Sequence, residues 1–290
     1  MDIVNYADDN SPFAVAPTIP RVLSNLEAES VSLLNWIRNN GLKANPEKFH
    51  LLLSVPDETH TIKVGDHEIT NLTSQKLLGI EIDNKMTFDN HVSNICLKAS
   101  QKVHALSHVS NSMTLCQRKI IMKSFILSQF GYCPLVWMFH SRKLNNRINR
   151  IHERALRIVY RDEVSSFEKL LTMDESFTVH ERNIQALAIE LYKAANHLSP
   201  KIMDFVFPLN SKPTYAGKSV FKTHNVKTVT WGTESIGHIG PRIWSIVPSD
   251  TKMFSLSKFT KKIRKWKPDT CPCRLCKIYV RDLGFVTISS

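Results

Sequence analysis

No apolar stretch in this sequence is long enough to cross a bilayer. The longest, residues 125–139, is interrupted by Ser128, Gln129, Gly131 and Pro134. The amino end lacks the basic region and cleavable apolar stretch of a signal peptide. Cysteine is scarce: there are 6 in 290 residues, with Cys96, Cys116 and Cys133 scattered and Cys271, Cys273 and Cys276 clustered. That usage excludes a disulfide scaffold and fits a reducing compartment. The expectation is an intracellular protein, nuclear or cytoplasmic, neither secreted nor membrane-spanning. Glycine is also sparse, at 9 residues beside 13 prolines, while 42% of the chain is hydrophobic. This is the composition of a folded chain, long enough for one large domain or two smaller ones. Internal repeats and low-complexity tracts are absent. A phosphate loop is missing too, because Gly237–Pro241 has no Lys-Ser/Thr ending and reads as a turn.

The most telling shortage is of acid. Residues 91–161 hold 12 Lys/Arg and a single acid, Glu153. Residues 201–290 are also basic, with 16 Lys/Arg against 5 Asp/Glu, whereas residues 1–90 carry 7 against 13. An acidic head followed by basic blocks, with a net charge of +12, points to a polyanionic partner. Nucleic acid comes first and an anionic membrane surface second.

Periodicity divides the chain at about residue 88. Before it, Ile3–Ala7 and Phe13–Ala16 read as strands of a hairpin with Asp8 to Pro12 as its turn. A helix follows from Thr18, with Pro20 in its first turn and Gly41 as its stop. Phe49–Leu53 reads as a short strand, and 61–70 as a second hairpin around Gly65-Asp66. Lys76–Asp83 reads as one strand, with Gly79 inside it marking a bulge or a close backbone approach. This is an α+β layer. After it the periods are helical, over 91–109, from a capping box at Thr114 and Gln117, over 144–160 and over 176–197. Beyond Ser199 the signals weaken to proline-punctuated loops and a short basic helix at 257–266, with Trp231, Trp244 and Trp266 as candidate core. The divisions expected are 1–88, 89–198 and 199–290.

Three groups of residues could carry chemistry. The first is Tyr6-Ala7-Asp8-Asp9. Adjacent carboxylates at a hairpin tip suit Mg²⁺, whose hard charge prefers carboxylate oxygens and which, as a pair of ions, clamps both oxygens of a phosphoryl transfer. By spacing alone, a solvated turn is the commoner meaning. The second lies on the helix 144–160. At 100° per residue Arg147, Arg150, Arg154, Arg157 and Arg161 share a stripe beside the apolar face of Leu144, Ile148, Ile151, Ala155 and Ile158. Guanidinium groups at that spacing suit a nucleic-acid backbone. The third is Cys271-x-Cys273-x-x-Cys276, which offers three soft ligands to Zn²⁺, with His238 or His224 as candidates for the fourth. Three clustered reduced cysteines need no metal, and that alternative stands beside it.

In context the first group resembles the catalytic hairpin of reverse transcriptases, an aromatic, any residue and Asp-Asp between two strands. In the same order, Gly41-Leu42-Lys43-Ala44-Asn45-Pro46-Glu47-Lys48 is similar to the palm motif after that hairpin. Lys76-Leu77-Leu78-Gly79-Ile80-Glu81-Ile82-Asp83 resembles the strand of the primer grip. Together they look like the polymerase of a non-LTR (LINE-type) retrotransposon. The resemblance implies a partial palm at 1–88, a helical thumb at 89–198 and a basic C-terminal extension at 199–290. It implies Asp8 and Asp9 as ligands of catalytic Mg²⁺, with Tyr6, Lys48 and Gly79 near the primer end or the nucleotide. It implies an RNA template, a DNA primer and deoxynucleoside triphosphates as partners. Such an enzyme needs a further aspartate on an upstream strand, and fingers. Only five residues precede Tyr6, so the expectation is a fragment cut inside the palm and inactive alone. The alternatives are a non-catalytic basic nucleic-acid-binding module and, resting on the cysteines, a zinc-dependent DNA-binding protein.

Overall fold

A computed structural model describes residues 2–7, 9–54, 58–210, 220–223, 225, 226, 228, 232, 235–268, 271–273 and 275. The chain is α+β, and its contacts divide into two units, residues 1–88 and 89–290. Among the described residues no helix is long and apolar enough to cross a membrane.

In the first unit, β1 (Asp2–Tyr6) and β2 (Asp9–Phe13) pair antiparallel with Tyr6 opposite Asp9. The returning strand therefore begins at Asp9, earlier than the expected Phe13, and Pro12 lies within it. A two-stranded ribbon tolerates proline because one edge makes no ladder bonds. Helix α1 (Ile19–Asn39) follows. It ends in a Schellman motif: Gly41, at φ 70°, donates to the Arg38 carbonyl, and Leu42 donates to that of Ile37. Strands β3 (Leu51–Leu52), β4 (Thr61–Val64) and β5 (His67–Leu72) form a sheet in the order β3-β5-β4. Leu26, with Val22, Leu23 and Leu34 of α1, packs on Leu51, Leu53, Ile62 and Val64 of that sheet and its flank.

The segment expected as one strand is two. β6 (Ser74–Leu77) and β7 (Ile80–Asp83) pair antiparallel around Leu78 and Gly79, both at positive φ, 45° and 86°. Gly79 is thus a turn residue and not a bulge, in a two-residue loop whose twist matches the strands. Asp83 then organises the exit. Its carboxylate accepts from the backbone amides of Lys85, Thr87 and Phe88 and from the Thr87 hydroxyl.

The second unit is helical. α2 (Asp89–Val109) buries Val92, Cys96, Ala99, Val103 and Leu106, spaced by three and four, and packs beside α5 (Arg142–Tyr160). Burial pushes the Cys96 thiol up to about 11, against a small opposing pull from the Arg147 charge, so it is an inert core residue. Between them α3 (Leu115–Ile121) starts from the expected capping box at Thr114 and Gln117, and a short α4 spans Pro134–Trp137. The helix expected at 176–197 is α7 (Val179–Ala195), preceded by a separate α6 (Phe167–Asp174). Ser176 cannot start it, because Thr178 and Glu181 close a capping box there.

One apolar cluster runs across residue 199. Leu187 and Leu191 of α7 meet Phe207 beyond α8 (Met203–Val206), Ile243 and Trp244 of α9 (Ile236–Ile246), and Phe259 and Ile263 of α10 (Leu256–Ile263). The stretch read as a turn at 237–241 is helical and contains Pro241. Burial of Ile239, Ile243 and Trp244 on one face outweighs the proline. Gly240 is required there, since a Cβ would lie 2.6 Å from the Phe207 ring. Trp231 lies outside the described residues.

His152 of α5 is fully buried, edge-on to the Phe167 ring, and neither ring nitrogen bonds to another described residue. Burial, with a smaller push from the Arg182 charge, lowers its pKa to about 3. The folded chain therefore holds it neutral, while the unfolded chain protonates it near 6.5. Stability from this site is complete above pH 6.5 and is lost as pH falls from 6.5 toward 3, by up to about 1.4 kcal/mol per unit. In thermal melts between pH 7 and pH 5, the wild type should lose more stability than a His152→Leu variant. Parallel profiles would remove His152 from the acid response.

Candidate catalytic hairpin and nucleic-acid interface

Tyr6 is 65% exposed at the end of β1, and Asp9, at the start of β2, is exposed opposite it. Asp8 lies outside the described residues. Ile3, Val4 and Phe13 of the same hairpin are also exposed. An accessible carboxylate on a stiff two-stranded ribbon is an apt hard-oxygen donor, since Mg²⁺ is usually held by one or two carboxylates completed by water and substrate phosphates. Lys48 is exposed at the end of a single 3₁₀ turn (Pro46–Lys48), which Asn45 caps by accepting from the Glu47 amide at 3.1 Å. Gly79 is exposed at the β6–β7 turn. These positions thus fall on separate elements of the first unit.

The arginine stripe divides into two halves. Along α5 the exposed residues are Lys143, Arg147, Arg150 and Arg154. They follow a four-three-four spacing, which aligns four cations over about 16 Å of helix. Arg157 is turned inward, 6% exposed. It donates to Glu153 at 2.7 Å, the Ser165 carbonyl at 2.9 Å and the Asp162 carbonyl at 3.2 Å. Asp162 shapes that acceptor loop. Bonds from Ser165 and from the Val164 amide lower its carboxyl to about 2. Arg161 is the left-handed C-cap of α5, at φ 56°, and its guanidinium reaches the carbonyls of Ser110 and Asn111. Buried Arg118 of α3, which lies outside the stripe, donates to the Val159 carbonyl at 2.8 Å and that of Met113 at 2.6 Å. Three arginines thus satisfy backbone carbonyls around the last turn of α5 and the neighbouring loops, where orphan acceptors need donors.

Burial of Glu153 has an electrostatic consequence. It is the only acid of residues 91–161 and is paired internally. The solvent-facing charge of this block is therefore positive throughout, and the exposed face of α5 meets no carboxylate from its own helix.

Of the cysteine cluster, Cys276 lies outside the described residues, as does His224. Cys271 and Cys273 are reduced, with their sulfurs 3.2 Å apart. The histidine that joins them is His180, the second residue of α7, whose Nε2 is 3.1 Å from Cys273 Sγ. Within the described residues the His/Cys group close enough to share an ion contains His180 and not His238. A histidine 91 positions before the first clustered cysteine carries no local spacing signal, so the sequence could not nominate it.

Two curated proteins of Drosophila melanogaster are similar to this chain. A probable RNA-directed DNA polymerase from transposon BS is 23% identical over 54% of the chain, and the RNA-directed DNA polymerase from mobile element jockey is 25% identical over 53%. The matched stretch covers 18% of each, so the chain spans about a fifth of the length of these relatives. The resemblance to retrotransposon reverse transcriptases is thereby borne out. No family model matches the chain. No solved structure matches it either.

Proposed function

We propose that this chain is the C-terminal portion of an RNA-directed DNA polymerase of the non-LTR retrotransposon type. It would supply the catalytic hairpin and, later in the sequence, a basic helical body that holds template and primer. Similarity to two transposon polymerases supports the family, and the exposed hairpin bearing Tyr6 and Asp9 supports the role of its first residues. Asp8 and Asp9 would hold Mg²⁺, which when bound supplies Lewis-acid stabilisation of the transferring phosphate. Tyr6 beside them would pack against the primer end. Residues 1–88 then form the remaining palm, 89–198 the thumb and 199–290 the basic extension. Nucleotide transfer of this type would also call on a further aspartate and on fingers. The polymerase reading therefore applies to a chain completed by them.

In such a completed enzyme, Asp8→Ala or Asp9→Ala should lower primer extension on the order of a hundred-fold or more. Binding of the RNA–DNA duplex should stay close to wild type. Extension that survives both substitutions would leave the second reading, a non-catalytic basic nucleic-acid-binding module, which the row of exposed cations along α5 favours.

A further inference from the structure

We infer that His180, Cys271 and Cys273 form a Zn²⁺ site that staples the Cys271–Cys273 stretch to the first turn of α7. The proposal is independent of the polymerase reading. It starts from distances: the ligand atoms of all three lie within 4.8 Å of one another. Sulfurs sharing a tetrahedral zinc, at Zn–S of about 2.3 Å, stand about 3.7 Å apart. The observed 3.2 Å is within a small side-chain rotation of that value. It is far from the ~2.05 Å of a disulfide.

Burial and charge agree with this. His180 and Cys273 are 5% and 7% exposed, and Cys271 is half-buried. Two thiolates, a neutral imidazole and one Zn²⁺ sum to zero charge, so the cluster can be buried without an uncompensated ion.

The neighbouring contacts give the site a purpose. Gln185 Nε2 donates to the Trp266 carbonyl at 2.8 Å, and Lys267 Nζ lies 3.6 Å from Glu181 Oε1. With the His180–Cys273 contact, these set Trp266, Lys267 and Cys273 against the first two turns of α7. Only the last of the three could be covalent in character. A metal there closes a loop of about ninety residues that contains α8, α9 and α10, and would fix the apolar cluster they share with α7. The fourth position is left to water or to a donor outside the described residues.

The test is metal content of the purified full chain, with zinc as the probe and cobalt(II) as the spectroscopic substitute. Wild type should carry about one zinc per chain and, loaded with cobalt(II), show the absorption of a tetrahedral thiolate site. His180→Ala and Cys273→Ser should lose both, whereas His180→Cys, which keeps a ligand in place, should retain zinc. A chelator should lower the wild-type Tm by about 5 °C or more and leave that of folded His180→Ala unchanged. A folded wild type free of zinc overturns the proposal. So does zinc retained at wild-type stoichiometry in both His180→Ala and Cys273→Ser. Neither outcome depends on nucleic-acid binding or polymerisation, so the polymerase reading stands or falls separately.

Discussion

A chain in which Arg147, Arg150 and Arg154 are all replaced by glutamine should bind an RNA–DNA duplex on the order of a hundred-fold more weakly at 0.1 M salt. Its fold should remain intact. The three side chains are exposed on one side of α5, where replacement by a polar glutamine uncovers no apolar core. Each phosphate contact removed takes about 0.9 from the slope of log affinity against log salt, so the triple variant should flatten the slope by about 2.7. Sequence preference should not change, because backbone contacts position a duplex without reading its bases. A filter-binding or fluorescence titration at several salt concentrations measures both quantities. An unaltered slope would take nucleic acid off this face.

Arg157, one turn further along the same helix, should behave in the opposite way. Arg157→Leu should destabilise the second unit by about 3–5 kcal/mol, because it leaves the Glu153 carboxylate buried without its partner. It also leaves the carbonyls of Asp162 and Ser165 short of a donor. Removing both charges with Arg157→Leu and Glu153→Leu should recover much of that loss, since an apolar pair of similar volume tolerates the site. Urea denaturation of the single and double variants measures the effect. If Arg157→Leu melted like wild type and lowered the salt slope by about one, Arg157 would instead be a phosphate contact.

The contrast between Arg154 and Arg157 shows where sequence reasoning stops. Both sit in the stripe that 100° per residue defines, and periodicity places them equally well. Which one meets solvent depends on the loop at 162–165 folding back over the end of α5, an event that helical periodicity does not register. Distance in the chain hides His180, which is brought to Cys271 and Cys273 only by the packing of that later segment on α7. Local signals fared better. Gly41, the Thr114 capping box and the 61–70 hairpin depend on backbone geometry within a few residues, and they formed as expected. Gly79 misled because a glycine inside an alternating run fits a bulge or a turn equally well. Only the pairing of Leu77 with Ile80 selects the turn.

What the sequence determined alone was the helical and strand periods, the acid-poor basic block and the order of motifs that resembles a retrotransposon polymerase, since all three are written in near neighbours or in composition. Tertiary structure alone decided which cations remain at the surface, that the single acid of the basic block is buried, and which histidine joins the cysteines. Each of those depends on how separate elements and loops pack on one another, where burial and charge pairing outweigh any helical or strand period.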